Sequence, residues 1–245
     1  MGCELGVGWR DSICCLLGTT GVNLDSKLML RVFIIMGIFS SLFGCNKDDS
    51  AELSPVVVTN EDEHNMIYER GCKLIYPHMQ LLDRAPKVNR KVKQQVSRGI
   101  ADLDAVTAYK PENWAAYWIK GKGYQVLGDA QAANAEFKAS FAIQKENPDV
   151  AREYASTCLD LGQAGEAARA TEHAIKLTPD DAGLYANLAL ALLIDGKHTE
   201  AREAVSRSLQ MAPGDKISQA VLTLVDDVIS GKKPQPNNMA DLHKR

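Results

Sequence analysis

Between Trp114 and Asp215 the apolar side chains recur at spacings of three and four, the period of a helix with one buried face. Leu184, Leu188 and Leu192 mark one such face, and Ala201, Ala204, Val205 and Leu209 mark the face of a partner helix. The pattern repeats every 34 residues, dividing the stretch into blocks 114–147, 148–181 and 182–215. Each block has a small residue at its eighth position (Gly121, Ala155, Ala189), glycine at its fifteenth (Gly128, Gly162, Gly196) and alanine at its twentieth (Ala133, Ala167, Ala201). Glycine after an apolar run can take φ > 0 and end a helix, and small residues at the other two positions let two helix backbones approach closely. Pro111, Pro179 and Pro213 stand at the thirty-second position and stop the second helix; the first full block instead has Lys145 there, with Pro148 three residues on. Alanine fills 22 of these 102 positions, which favours helix and tight crossing throughout. Antiparallel helix hairpins stacked in one register are therefore predicted.

The flanks extend the array. Val92, Val96, Ile100, Leu103 and Val106 give Arg90 to Tyr109 the same spacing, and Pro111 closes it as a repeat's second helix would be closed. Residues 63–113 are accordingly read as a divergent zeroth hairpin, its first helix spanning roughly His64 to Leu82 unless Pro77 ends it sooner. Lys216 to Ser230 carries Val221, Leu224, Val225 and Val228 and reads as the single capping helix such arrays require. Residues 231–245 have no apolar period and are expected to fray, and residues 46–62 to act as a tether.

These positions resemble the signature of the tetratricopeptide repeat, best in the first block with Tyr117, Gly121, Tyr124, Gly128, Ala133 and Phe137. The third block matches through Tyr185, Leu188, Ala189, Leu192, Ala201, Val205 and Pro213. In the second, Ala151, Cys158 and Thr171 replace the bulky residues, so a thinner core is expected. The resemblance implies an all-α superhelix of antiparallel helix pairs that works by binding other proteins.

The N-terminus reads as an address. Lys27 and Arg31 precede a thirteen-residue uncharged run, Val32 to Gly44, about the length of a signal-peptide core. Crossing a bilayer takes roughly 20 apolar residues, so a single-pass anchor requires adding Leu28 to Leu30 with Arg31 snorkelling; simple secretion is a third outcome. Leu42-Phe43-Gly44-Cys45 resembles the lipobox of bacterial lipoproteins, which implies lipidation of Cys45 and attachment to an envelope membrane. Asn46, in place of an aspartate after the cysteine, implies outer-membrane sorting in an enterobacterial-type envelope. Residues 1–28 carry Glu4, Asp11 and Asp25 and do not read as a signal n-region, so initiation at Met29 is expected.

Composition narrows the function. An apolar fraction of 45% with 24% charged residues excludes wholesale disorder and a multi-span membrane protein. A net charge of -3 gives no electrostatic case for nucleic acid. Four of the six cysteines fall in the first 45 residues, leaving only Cys72 and Cys158, so neither a disulfide framework nor a zinc cage is expected. Cys72 and His78 are six apart, not the three or four that share a helix face, and no phosphate loop, GxSxG elbow or HExxH occurs. No enzyme, cofactor or metal is expected; the alternative is a small catalytic or ligand-binding unit in residues 46–113 with the repeats docking it.

Within the resemblance, the first helix of each repeat lines a concave groove through its second, fifth, ninth, twelfth and thirteenth positions. Those positions hold Trp118, Lys122 and Gln125, then Asp149, Arg152, Ser156 and Asp160, then Ala186, Leu190, Leu193 and Ile194. Asn187 alone matches a position type of the family's clamp for chaperone tails. Trp118 beside Lys122 and Arg152 implies an anchor able to take an acidic peptide or a C-terminal carboxylate. Three competing uses are open: Trp118 packed against the zeroth repeat, Leu190, Leu193 and Ile194 covered by the cap through Ile217, Ala220 and Leu224, and Lys122 and Arg152 as ordinary solvated charges.

Overall fold

The computed structural model describes residues 56–79 and 88–243, and among them every regular element is helical. Helix α1 (Glu61–Ile75) pairs with α2 (Arg90–Tyr109), α3 (Trp114–Leu127) with α4 (Ala130–Ile143), α5 (Pro148–Asp160) with α6 (Ala164–Leu177), and α7 (Ala182–Ile194) with α8 (His198–Met211); α9 (Lys216–Ile229) closes the stack. Each helix packs on its neighbours in sequence, and α1 on α3, α5 on α7 and α7 on α9 also touch. The molecule is an all-α solenoid of helix pairs, as expected. Cys45 and the apolar run before it lie outside the described residues. No helix among the described residues is long and apolar enough to cross a membrane.

Local chemistry sets the boundaries. Asn60, Asn89, Asn113, Asp129, Asn147, Asp181 and Asp215 each accept a backbone N–H from the first turn of the helix that follows. Gly128, Gly162 and Gly196 take φ of 80°, 71° and 78° after the first helix of their repeats. The next residue's N–H then reaches back to a carbonyl of that helix: Asp129 to Tyr124, Gln163 to Cys158 and Lys197 to Leu192, at 3.0, 2.8 and 2.9 Å. The close approaches are real contacts. A Cβ on Gly121 would stand 2.7 Å from the Phe137 ring, and Ala133, Ala155, Ala167, Ala189 and Ala201 are all buried. A hydroxyl repeats as well, with Ser140 donating to Trp114 O at 2.9 Å and Ser208 to Ala182 O at 2.8 Å, while Ala174 takes that place in the middle repeat. The middle core is completed by Tyr154, which stacks on Phe141 with ring centroids 5.7 Å apart, and Ala151, Cys158 and Thr171 are fully enclosed.

The flanks depart from expectation in four ways. Helix α1 spans Glu61–Ile75, ending before Pro77, which sits in a 3-10 turn Tyr76–His78; its Gly71 meets Gly99, whose added Cβ would lie 3.0 Å from Gly71 O. Gly99 holds the register of Ala133, but Gly71 precedes the expected partner position by sixteen residues, because a long connection separates α1 from α2. The end of the supposed tether is packed: Val56 and Val58 sit against the core of α1 and α2. The cap uses Val221, Val225 and Val228, with Leu222 and Leu224 beside them, while Ile217 is 70% exposed and Ala220 is exposed. Residues 231–243 do not fray but fold back over the last two repeats, with Pro236 buried and Met239 against the main core.

Two ion pairs are buried in the stack. Asp102 is 1% exposed and takes a bidentate grip from Arg70, Nε to Oδ2 at 2.7 Å and Nη2 to Oδ1 at 2.6 Å, tying α1 to α2. Lys120, 5% exposed, reaches Asp104 of α2 at 2.7 Å and Glu136 of α4 at 3.0 Å. Burial opposes the charge on Lys120, and the two carboxylates more than offset it, holding the ammonium above the ordinary lysine value.

Candidate functional site

The surface made by α3, α5 and α7 gathers the residues singled out above. Lys122 Nζ lies 5.3 Å from the centre of the Trp118 ring and 5.8 Å from that of Phe137, so the predicted neighbours Trp118 and Lys122 do meet. Trp118 also touches both halves of the core, the α1–α3 side and the α4–α9 side. Its indole Nε1 is buried with no hydrogen-bond partner. Gln125 is exposed one turn further on.

The charges are arranged otherwise than expected. Lys122 is paired with Glu153, to which Gln125 also donates at 3.4 Å. Arg152 is paired with Asp149 at 2.7 Å and with Asp181. Each cation is thus matched by a carboxylate supplied by the next first helix or the turn before it, and Arg152 by two. The two cations expected beside the Trp118 anchor are not bare: three acidic groups surround them, and an incoming anion would have to displace these. Glu153 and Asp181 were not among the candidates. Their signal was present as a charge of opposite sign 31 residues after Lys122 and 29 after Arg152, which is the offset between facing positions on successive first helices.

The apolar end is closed. Ala186, Leu190, Leu193 and Ile194 are 3%, 8%, 0% and 9% exposed, and the last three share a core with Val221 and Val225 of the cap. Besides the exposed carboxylates Asp149 and Asp160, the face leaves neutral polar groups accessible. Ser156 and Asn187 are half-buried, their side chains engaged by none of the hydrogen bonds that tie the repeats together. By the same 31-residue offset that joins Lys122 to Glu153, Gln125, Ser156 and Asn187 form one diagonal row across α3, α5 and α7.

The region around Cys72 lacks the marks of a reactive centre. Cys72 is buried, and burial pushes its thiol up, away from the thiolate a nucleophile requires. His64 is buried against Tyr68 and Tyr109, with Nδ1 3.1 Å from Asn65 Oδ1 and Nε2 3.4 Å from Asn113 Nδ2. Cys158 is likewise enclosed and raised by burial, and Asn134 Nδ2 donates to its sulfur at 3.2 Å. Among the described residues no group of three His, Cys, Asp or Glu side chains is placed to hold a metal ion.

Residues 155–216 match the family model described as Tetratricopeptide repeat. Curated proteins offer no match to the sequence. Solved structures share the architecture. A crystal structure of MamA protein superposes with a TM-score of 0.57 at 18% identity, over 69% of this chain and 84% of that one. MamA 41-end from Desulfovibrio magneticus RS-1 superposes with a TM-score of 0.57 at 15% identity, over 71% and 88%. Pseudomonas aeruginosa pilF gives 0.50 at 14% identity, over 70% of each chain. At these identities the likeness establishes the fold: a solenoid of the tetratricopeptide type.

Proposed function

We propose that this chain is a non-catalytic adaptor that binds an extended protein segment along the face of α3, α5 and α7, held at a bacterial envelope membrane through lipid on Cys45. One observation carries the binding reading: the row of Gln125, Ser156 and Asn187 on the face that also holds the Trp118 ring, where both cations are already paired with carboxylates. Primary amides and a hydroxyl both donate and accept, so such a row matches the alternating N–H and C=O groups of an extended backbone. Trp118 adds a rigid, half-buried ring. The stacked helices are formed before the partner arrives, so little ordering opposes association. A part in assembling an envelope machine is compatible with this arrangement.

Placing a photo-crosslinking amino acid at Gln125 in cells that make the full chain should trap a discrete partner. Trp118→Phe with Asn187→Ala, which keeps the ring but removes two hydrogen-bonding groups, should cut the crosslink at least tenfold with unchanged helicity by circular dichroism. The yield should change little with salt, because both cations of the face are already paired and the row itself is uncharged. An unchanged crosslink in the double variant would move the site off this face, and a steep salt dependence would restore the ionic clamp.

Anchoring has its own test. Radioactive fatty acid should label the full chain, and Cys45→Ser should lose both the label and membrane sedimentation. A labelled or sedimenting Cys45→Ser protein would replace the lipid anchor with another attachment.

A further inference from the structure

A second surface already carries a peptide. Beyond α9 the chain turns at Gly231 and runs back along the edge formed by the α7–α8 turn and then the α5–α6 turn. At the first turn Gln235 is held at both ends of its amide: Nε2 donates to Ile194 O at 3.3 Å, and His198 Nε2 donates to Oε1 at 2.8 Å. At the second turn the Asn237 carbonyl passes so close to Gly162 that a Cβ there would lie 2.8 Å from it. Met239, half-buried, then packs against the main core, and the turn Met239–His243 rests on α5. Proline-bounded Gln235 and an internal turn pre-shape the segment: Asp241 Oδ2 accepts from Asn237 N at 2.9 Å, and Asn238 Oδ1 from Asp241 N at 3.1 Å.

These contacts use an amide, an imidazole, backbone carbonyls and a methionine laid against the core. None depends on covalent continuity with α9. The site also has an internal comparison: Gly128 makes the same left-handed turn, φ 80°, yet nothing lies within 4 Å of where its Cβ would stand. We propose that the turn edge at Gly162 and Gly196 is a binding surface for an extended peptide carrying a proline-flanked primary amide and, four residues on, a slender apolar side chain, and that the chain's own C-terminal segment occupies it in competition with such a partner. This surface rests on the turns and is independent of the reading of the α3–α5–α7 face.

A labelled peptide of residues 232–243 should bind a chain truncated after Lys233 at least tenfold more tightly than it binds the intact chain, whose tethered copy competes at an effective concentration on the order of millimolar. In the truncated chain Gly162→Ala should weaken the peptide at least tenfold, while Gly128→Ala, which carries the same left-handed strain, should leave it within twofold. Equal binding by intact and truncated chains, no binding by either, or equal losses in the two glycine variants would overturn the proposal. If truncation lowers helicity, hydrogen exchange on the intact chain decides instead. Gly162→Ala should speed exchange across residues 235–241 at least tenfold and Gly128→Ala should not; equal rates in the two variants would sink it.

Discussion

Phe137→Ala is expected to destabilise the array by about 3–5 kcal/mol, the range for emptying a fully enclosed aromatic site. Phe137 is 0% exposed, and its ring edge fills the space that Gly121 leaves by having no side chain. The loss falls on the α3–α4 pairing and on the contact with the next repeat, so in a stack where each unit touches only its neighbours the transition should broaden or split. Urea titration followed by circular dichroism reads this directly. The same contact predicts a reversal of sign. In the natural chain Gly121→Ala should destabilise by about 1–3 kcal/mol, because a Cβ 2.7 Å from an immovable ring overpacks the site. With Phe137→Ala already present, Gly121→Ala should be neutral or stabilising by about 0.5–1 kcal/mol, the ordinary helix preference for alanine over glycine. Additive effects in this double-mutant cycle would show that the ring does not set the helix spacing.

Lys120→Met should cost roughly 3 kcal/mol near neutral pH, the lower end of the range for breaking a buried pair, since Asp104 is 55% exposed and can be resolvated. Glu136 cannot, its side chain being 18% exposed. Burial raises the Glu136 carboxyl above the ordinary carboxylate value even with Lys120 opposing that shift. A carboxyl whose folded pKa lies above its unfolded one favours folding in its protonated form, so stability is greatest below the unfolded pKa and declines as pH rises through the folded one. Removing Lys120 lifts the folded value further and widens that window. The deficit of the variant relative to the natural chain should therefore be small near about pH 4 and large near about pH 8, as read from urea midpoints at the two values. Glu136→Gln added to Lys120→Met should recover most of the loss at the higher pH. A deficit that is the same at both values would mean that lost packing, not a stranded carboxylate, is responsible.

The 34-residue pattern was sufficient for the helix pairs, because what makes them is local or nearly so. A cap needs an asparagine or aspartate before the helix, a left-handed turn needs a glycine after it, and a close crossing needs small residues at two fixed positions. Gly128, Gly162 and Gly196 were legible for that reason, and so was the burial of Cys158. The position of α1 was less legible. Gly71 does the work of an eighth-position residue, but the long connection to α2 breaks the period that would have pointed to it.

The candidate face was legible in its members and not in its electrostatics. The family resemblance assigns Trp118, Lys122, Gln125, Arg152, Ser156 and Asn187 to one face, whereas the partners of the two cations depend on how far each repeat is rotated on the last. That rotation brings Glu153 to Lys122 and Asp181 to Arg152, so the two expected cations are paired rather than free. The closing of Leu190 and Ile194 by Val221 and Val225 was likewise a matter of the angle at which α9 settles.

By itself the amino-acid order determined the all-α hairpins, their register and their turns, since those follow from φ preferences, caps and side-chain size within a few residues of each other. Only the assembled stack decided which charges meet, which apolar residues are roofed over, and where the last dozen residues go. Met239 and Gln235 sit in a segment without any period, and the socket and carbonyl that hold them exist only once distant helices have been brought side by side.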